Sequence, residues 1–198
     1  MNRKYTRELY LDKVAKLRDT CPAIGVTSDM IVGCPGETQA DFEDTLDLIR
    51  AVQFDGLFAF KYSDRPNAPA ARFPDKISQQ QKNERLQSLL RLQEGITKAK
   101  NRALVGSTQQ ILVDGLSKKA KSGAARDRSR HKQWTGRTSA NKIVNFFCDQ
   151  SRPNCPEVFP GKLADIRIEK AFSHSLWGKP ATVESQAKAL KGVEIYAA

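Results

Sequence analysis

A turn rich in glycine and proline, residues 33–37, holds the first side chains whose types and spacing suit ligand binding. An apolar run ends at this turn and a helix start follows, so we expect it at the carboxyl end of a strand, where α/β proteins bind ligands. Glycines let the backbone approach a flat ligand, and free N–H groups at a helix start suit polar or anionic groups. An ordinary strand-to-helix turn is the alternative, and spacing alone favours it. The candidate cofactor contacts are Asp29, Gly33, Pro35, Gly36 and Glu37.

A second polar segment follows the next apolar run. Tyr62, Ser63 and Arg65 come directly after residues 57–60, and these three side chains together suit a nucleotide. Because the carboxyl ends of parallel strands meet at one edge of a sheet, both segments would face the same ligand. Taken alone, this segment reads better as an ordinary polar loop.

A basic block forms the third candidate. Residues 118–137 hold eight Lys and Arg against one acid, with His131 and Trp134 among them. Cations contact phosphates and an aromatic ring stacks on an unpaired base, so the block predicts contact with RNA or DNA. The alternative is a solvated loop between two strands. The candidate nucleic-acid contacts are Lys118, Lys119, Arg126, Arg128, Trp134, Arg137, Thr138 and Asn141.

The net charge of +11 is concentrated in the same half of the chain. Residues 99–198 carry 18 Lys and Arg against 8 Asp and Glu, whereas residues 1–98 carry 15 against 14. Such asymmetry predicts a polyanionic partner, with nucleic acid ahead of an anionic membrane surface, since no basic amphipathic helix is evident. The sequence has neither a long apolar run nor a secretory signal at its start, so we expect a cytoplasmic protein.

The four cysteines, Cys21, Cys34, Cys148 and Cys155, do not predict a metal site. No two of them form a C-x-x-C pair, and the spacing does not resemble a disulfide framework. Cys148 and Cys155 have neither a second pair nor a histidine at ligand spacing. We therefore expect reduced, mostly structural thiols, with no metal ligands and no catalytic side chains in this chain.

The elements that position these candidates change type near the middle of the chain. Helical spacing over 6–19, from Thr38 and over 78–101 alternates with apolar runs over 24–32 and 57–60. Thr6 and Thr38 are the predicted N-caps of the first two helices. Two parallel strands cannot bury both faces of a sheet, so residues 1–98 are predicted to be part of a larger α/β barrel. Alternating stretches over 110–116, 142–147 and 164–169 predict a small antiparallel OB-like barrel over 102–175. Residues 179–198 read as a tail.

Four segments stand in an order and spacing that resemble one known family. They are MNRKYTR at 1–7, IVGCPGET at 31–38, FKYSDRP at 60–66 and GRTSAN at 136–141. Over about residues 1–178 the chain resembles the methylthiotransferases of the MiaB type. Members of that family add a methylthio group to an isopentenyl-modified adenosine of tRNA by radical chemistry with S-adenosylmethionine (SAM).

The resemblance implies a fold, cofactors and site residues. Family members join an N-terminal domain with one [4Fe–4S] cluster, a TIM-like radical-SAM barrel with a second, and a C-terminal RNA-binding TRAM domain. This chain resembles the end of the barrel plus the TRAM domain, and none of its four cysteines matches a cluster ligand. The segments 33–37 and 62–65 would then lie near SAM, and Lys118, Arg137, Thr138 and Asn141 on the TRAM surface. The chain departs from the family in having Cys34 where Phe is usual, and Asn67-Ala68 where Gly-Thr is usual.

Two functional hypotheses follow from the resemblance. In the first, the chain is the C-terminal part of a tRNA 2-methylthio-adenosine synthase that binds tRNA, needs a missing N-terminal half, and is inactive alone because cluster cysteines are absent. In the second, it is a stand-alone RNA-binding module or an inactive remnant. A cysteine motif in the upstream coding sequence would separate the two. A relative that modifies a ribosomal protein is a third possibility, and the strong basicity favours tRNA over it.

Overall fold

The computed structural model describes residues 4–117, 132–148 and 159–181. The chain divides into two compact units, a first unit of residues 1–99 and a second unit of residues 100–198. In chain order the first elements are α1 (Arg7–Thr20), β1 (Thr27–Val32), α2 (Gln39–Val52), β2 (Gly56–Lys61), a 3-10 turn (Pro69–Arg72) and α3 (Gln79–Ala103). The strands that follow are β3 (Thr108–Leu116), β4 (Lys132–Thr138), β5 (Ile143–Cys148), β6 (Leu163–Ala171) and β7 (Leu176–Pro180).

Threonine caps start the first two helices, as the sequence predicts. The Thr6 hydroxyl accepts a hydrogen bond from the Leu9 N–H at 3.3 Å, and the Thr38 hydroxyl accepts one from the Asp41 N–H at 3.1 Å. The Asp41 carboxylate accepts in return from the Thr38 N–H at 2.8 Å, which completes a capping box. Hydrogen bonds from the Thr38 side chain and backbone lower the pKa of Asp41, because they favour its charged form.

The first unit is built around a two-stranded parallel sheet. β1 and β2 pair from Thr27 beside Gly56 to Val32 beside Lys61. One face packs on the helices, where Val32 joins a core that includes Ile49 and Leu89. The opposite face leaves five side chains exposed, which are Thr27, Asp29, Ile31, Phe58 and Phe60. A parallel sheet covered by helices on one face agrees with the prediction of a partial βα barrel.

The second unit is a closed barrel of five strands in the order β3-β4-β5-β7-β6. Alternate residues of the strands fill its interior, among them Ile111, Val144, Phe146 and Ile166. The predicted OB-like barrel is therefore confirmed. The expectation that every pairing is antiparallel is wrong, since β5 and β7 run parallel with Val144 beside Leu176. The reason is geometric: five strands cannot alternate direction all the way around a closed ring.

A glycine permits the close approach of β3 and β4. A Cβ added at Gly136 would lie 2.5 Å from the carbonyl oxygen of Leu112 and 2.8 Å from Cδ1 of Ile111. Real Cβ atoms are not found so close to a backbone oxygen, so any larger residue at 136 must push the two strands apart.

Cys148 is disulfide-bonded, whereas Cys21 and Cys34 are free. The expectation of reduced thiols is thus wrong for Cys148, because spacing along the chain does not report which sulfur atoms meet in the fold. Within the described residues, no group of three or more His, Cys, Asp and Glu side chains could hold a metal ion. In the same ranges, no helix is long and apolar enough to cross a membrane.

Candidate cofactor cavity and nucleic-acid surface

A cavity of about 610 Å³ lies at the carboxyl ends of β1 and β2. Its volume is within the range of about 300–1,000 Å³ that small-molecule sites occupy. Four of the eight predicted cofactor contacts line it, namely Pro35, Tyr62, Ser63 and Arg65. The other wall residues are Ile31, Cys34, Phe60, Lys61, Ala68, Ala70 and Phe73. The cavity therefore combines apolar and aromatic walls with a few cations and hydroxyl groups.

Glu37 points inward and organises the turn that forms one wall. Its Oε2 accepts hydrogen bonds from the N–H groups of Gly33 at 2.8 Å and Cys34 at 3.2 Å. Its Oε1 lies 2.7 Å from Nη1 of Arg85, and the two side chains are only 13% and 9% exposed. Arg85 Nη1 also donates to the Glu37 carbonyl at 3.0 Å. The N–H groups of Gly33 and Cys34, which precede the helix start, are thus already bonded to Glu37.

The two predicted glycines of this turn both adopt left-handed backbone conformations. Gly33 has φ +75°, and a Cβ there would collide with the side chain of Lys82. Gly36 has φ +78°, and its N–H donates to the Asp75 carbonyl at 3.0 Å. Asp29 lies two residues before Ile31 of the cavity wall, on the same sheet face. Asp29, Gly33, Gly36 and Glu37 support the cavity or flank it, and they do not line it.

Two cations of α3 hold the two strand ends together, and the sequence analysis missed both. Lys82 and Arg85 are buried, and Lys82 Nζ donates to the Tyr62 carbonyl at 3.2 Å while Arg85 binds Glu37. Their spacing of three residues on the apolar side of a helix that also buries Leu89 was the available signal. In sequence they look like ordinary solvated cations of a polar helix.

Tyr62 sits among charged groups at the cavity mouth. Its hydroxyl donates to Asp64 at 2.9 Å, and Nζ of Lys82 lies 5.3 Å from the ring centroid. Partial burial, followed by the hydrogen bond to Asp64, raises the pKa of Tyr62. Hydrogen bonds from Lys76 and then from Tyr62 lower the pKa of Asp64. At neutral pH the mouth therefore presents a neutral phenol beside an ionised carboxylate.

The free thiol of Cys34 forms part of the cavity wall. Burial, and secondly the negative charge of Glu37, raises the pKa of this thiol. It is therefore protonated at neutral pH and packs as a small apolar residue.

In the second unit, the hairpin from β4 to β5 brings two predicted nucleic-acid contacts together. Arg137 Nη1 donates to the Asn141 side-chain oxygen at 2.8 Å, and Arg137 Nε lies 3.4 Å from the Asp114 carboxylate. Asn141 is exposed and adopts φ +59°, a conformation that asparagine tolerates in turns. The Arg137 side chain remains 45% exposed, so a phosphate can reach it.

Two further predicted contacts face inward. Thr138 is buried, and its hydroxyl accepts a hydrogen bond from the Lys142 N–H at 3.1 Å, which closes the hairpin. Trp134 belongs to the barrel core and is 7% exposed. Both side chains are buried and support the barrel surface from inside. Direct contact of either side chain with nucleic acid stays a prediction. Lys118, Lys119, Arg126 and Arg128 lie outside the described residues.

Comparison with known proteins identifies both halves of the chain. Residues 102–181 match the TRAM domain family. At least 90% of the chain is similar to proteins named tRNA-2-methylthio-N(6)-dimethylallyladenosine synthase. The relative from Desulfosudis oleivorans is 45% identical over 93% of this chain, and the one from Syntrophobacter fumaroxidans is 45% identical over 90%. A relative from Acetivibrio thermocellus is 42% identical over 90% of the chain. The chain spans 39%, 36% and 34% of the lengths of these three relatives, in their C-terminal part.

Proposed function

Because this chain belongs to the tRNA methylthiotransferase family, whose members it matches in their C-terminal part, we propose that it supplies two pieces of a tRNA 2-methylthio-adenosine synthase. The first piece is the strand-end cavity, which forms part of the SAM site. The second is the TRAM barrel, which holds tRNA. The observation that carries the proposal is a similarity that runs through both units, from the cavity residues to the barrel.

The residues of the cavity fit part of SAM. Aromatic and apolar walls from Ile31, Phe60 and Phe73 suit an adenosine, and the exposed Arg65 suits a carboxylate. When bound, SAM supplies the hydrogen-abstracting and methyl-donating chemistry of this family. The role of this chain's residues is to bind and orient it. Glu37, Lys82 and Arg85 keep the wall in place without touching the ligand.

The cysteines of this chain do not fit either [4Fe–4S] cluster. Such clusters need sets of cysteine thiolates, whereas the described part of the chain has no group of three or more His, Cys, Asp and Glu side chains that could hold a metal ion, and Cys148 is disulfide-bonded. We infer that the cluster ligands come from polypeptide outside these 198 residues. We expect the 198-residue polypeptide alone to bind its ligands without completing the reaction.

The second unit binds tRNA through its positive charge. Its half of the sequence carries 18 Lys and Arg against 8 Asp and Glu, and Arg137 is exposed on the β4–β5 hairpin. Each phosphate that a cation neutralises releases counterions, so binding must weaken as salt rises. The TRAM match and the names of the relatives support tRNA, rather than DNA, as the source of the phosphates.

The first test is tRNA binding by the purified chain across a salt series. The test variant carries Lys118→Glu, Lys119→Glu and Arg137→Glu. The matched control carries the same charge change in the first unit, as Lys13→Glu, Lys16→Glu and Arg50→Glu. We expect micromolar or tighter binding that weakens with salt, a loss of about tenfold or more in the test variant, and a much smaller loss in the control.

Two outcomes would contradict this assignment. Absence of binding at low salt would leave a non-functional remnant as the better account of the isolated chain. Equal losses in the test and control variants would mean that net charge alone, and not the barrel, attracts the tRNA.

The second test is SAM binding, measured by calorimetry. Phe60→Ala removes a wall of the cavity, whereas Phe58→Ala removes an exposed ring of the same strand and face that does not line it. We expect Phe60→Ala to weaken SAM binding by about tenfold, since buried aromatic area is lost, and Phe58→Ala to leave it unchanged. Equal affinities for the two variants would place SAM elsewhere.

A further inference from the structure

Two aromatic side chains meet on the outside of the barrel. The rings of Phe147 on β5 and Trp177 on β7 pack edge to face, with centroids 4.9 Å apart and an interplanar angle of 77°. Phe147 is 47% exposed and Trp177 is partly exposed. The pair lies near the C-terminal end of β5, where Phe147 pairs with Gln133. The hairpin that carries Arg137 lies at the N-terminal end of β5, where Ile143 pairs with Arg137.

Packing of the barrel interior does not explain these two residues. Their neighbours along the strands, Phe146, Leu176 and Gly178, are the ones that point into the core. Strand alternation then forces Phe147 and Trp177 outward, where the barrel gains only a cross-strand contact from them. Two large rings held at a surface by neighbouring strands make a preorganised apolar platform.

The residues paired with the two rings are polar or cationic. Gln133 stands beside Phe147, Asn145 stands beside Trp177 on β5, and Lys170 stands beside Trp177 on β6. Residues opposite each other in a regular ladder share one face of the sheet, so Gln133 and Asn145 border the aromatic pair. Lys170 pairs with Trp177 directly after a register shift in β6 and is exposed. Side-chain amides bond the edges of bases, and a lysine binds phosphate. The combination matches an unpaired nucleotide better than it matches an apolar protein surface.

We propose that Phe147 and Trp177 form a stacking platform for an unpaired base of single-stranded RNA, with Lys170 placed for the adjoining phosphate. Charge complementarity supports RNA as the occupant, since this half of the chain carries 18 cationic against 8 acidic residues. The proposal rests on the proposed function in taking RNA as the ligand of the barrel. It adds the face that is used and the unpaired state of the nucleotide.

The test compares two probes, an oligoadenylate RNA and an abasic strand of the same length, on the full 198-residue chain. The variants are Phe147→Ala and Phe147→Tyr, and the matched control is Phe172→Ala, which truncates another exposed ring of the second unit. Loss of one stacked base should weaken oligoadenylate binding by about tenfold in Phe147→Ala, while Phe147→Tyr and Phe172→Ala bind as the wild type does. Binding of the abasic strand should not distinguish the four proteins.

Tryptophan fluorescence gives a second readout that does not depend on truncation. Oligoadenylate should quench the emission of the wild type through Trp177, and Trp177→Phe should lose this quenching while it keeps most of the affinity. Quenching that persists in Trp177→Phe would come from Trp134 and would overturn the platform.

The outcomes separate the platform from the proposed function. If the wild type binds RNA but Phe147→Ala and Phe172→Ala bind equally well, the platform is wrong and this face serves another partner, such as a protein. If Phe147→Ala loses affinity equally for both probes, base stacking is excluded. If the wild type binds no RNA of any kind, the proposed function and the platform both fail.

Discussion

At the scale of single residues, the site depends on one ion pair that is almost closed to solvent. Glu37 and Arg85 meet at 2.7 Å, and Glu37 also accepts the N–H groups of Gly33 and Cys34. A carboxylate that joins a strand end, a turn and a helix fixes the cavity wall without facing the ligand. Removing one partner leaves a buried charge uncompensated, which costs more than the pair itself contributes.

Glu37→Gln is therefore expected to lower the free energy of unfolding of the first unit by about 3 kcal/mol. The amide keeps the size and one acceptor of Glu37 but loses the charge that balances Arg85. Urea unfolding followed by far-UV circular dichroism measures the change. The matched control is Asp47→Asn, which neutralises an acid paired with Arg50 at 2.6 Å but more than half exposed. That pair should contribute less than about 1 kcal/mol. A loss in Glu37→Gln no greater than in the control would contradict the buried role of Glu37.

At the scale of elements, closure of the barrel depends on one parallel strand pair and on a close approach of β3 to β4. An odd number of strands requires one parallel pair, and β5 with β7 provides it. β3 and β4 meet across Gly136, where even a methyl group has no space. The sequence shows this glycine, but only the neighbouring strand shows why it cannot be replaced.

Gly136→Ala is expected to destabilise the barrel by about 1–3 kcal/mol, because the added methyl group forces β3 away from β4. Thermal unfolding of the chain measures the effect. Gly95→Ala is the comparison, since a Cβ at that position in α3 meets nothing within 4 Å. Alanine is the better helix former, so this control should gain about 0.5–1 kcal/mol. Equal melting temperatures for the two variants would contradict the tight approach at Gly136.

At the scale of the whole molecule, the chain exposes a large apolar face on its parallel sheet. Phe58 is 66% exposed, Phe60 54% and Ile31 38%, and all three lie on the face opposite the helices. The chain spans 39% or less of the length of the relatives named above, and parallel sheets are ordinarily covered on both faces. Left open, such a surface promotes self-association.

We expect Phe58→Ser to increase the monomeric fraction of the 198-residue chain at high concentration, as measured by analytical ultracentrifugation. Phe172→Ser serves as the control, because Phe172 is 55% exposed but belongs to the second unit. A monomeric wild type, or equal effects of the two substitutions, would show that the sheet face does not drive association.

Local and compositional properties were determined by the sequence itself. Thr6 and Thr38 predict their caps because a hydroxyl satisfies helix N–H groups within three residues. The alternation over 164–169 predicts a half-buried strand, which β6 contains. The motifs and the uneven charge predict the family and an RNA-binding second half, since neither depends on which elements come into contact.

Only the tertiary structure decided the features that join distant residues. Trp134 reads as part of a basic loop, yet β4 carries it into the barrel core. β7 lies where the sequence showed no strand, and closure of the ring makes its pairing with β5 parallel. Glu37 reads as a ligand contact, but Arg85, 48 residues away, binds it. In each case the deciding partner is remote in sequence, and local spacing carries no information about contacts that form only when the chain folds.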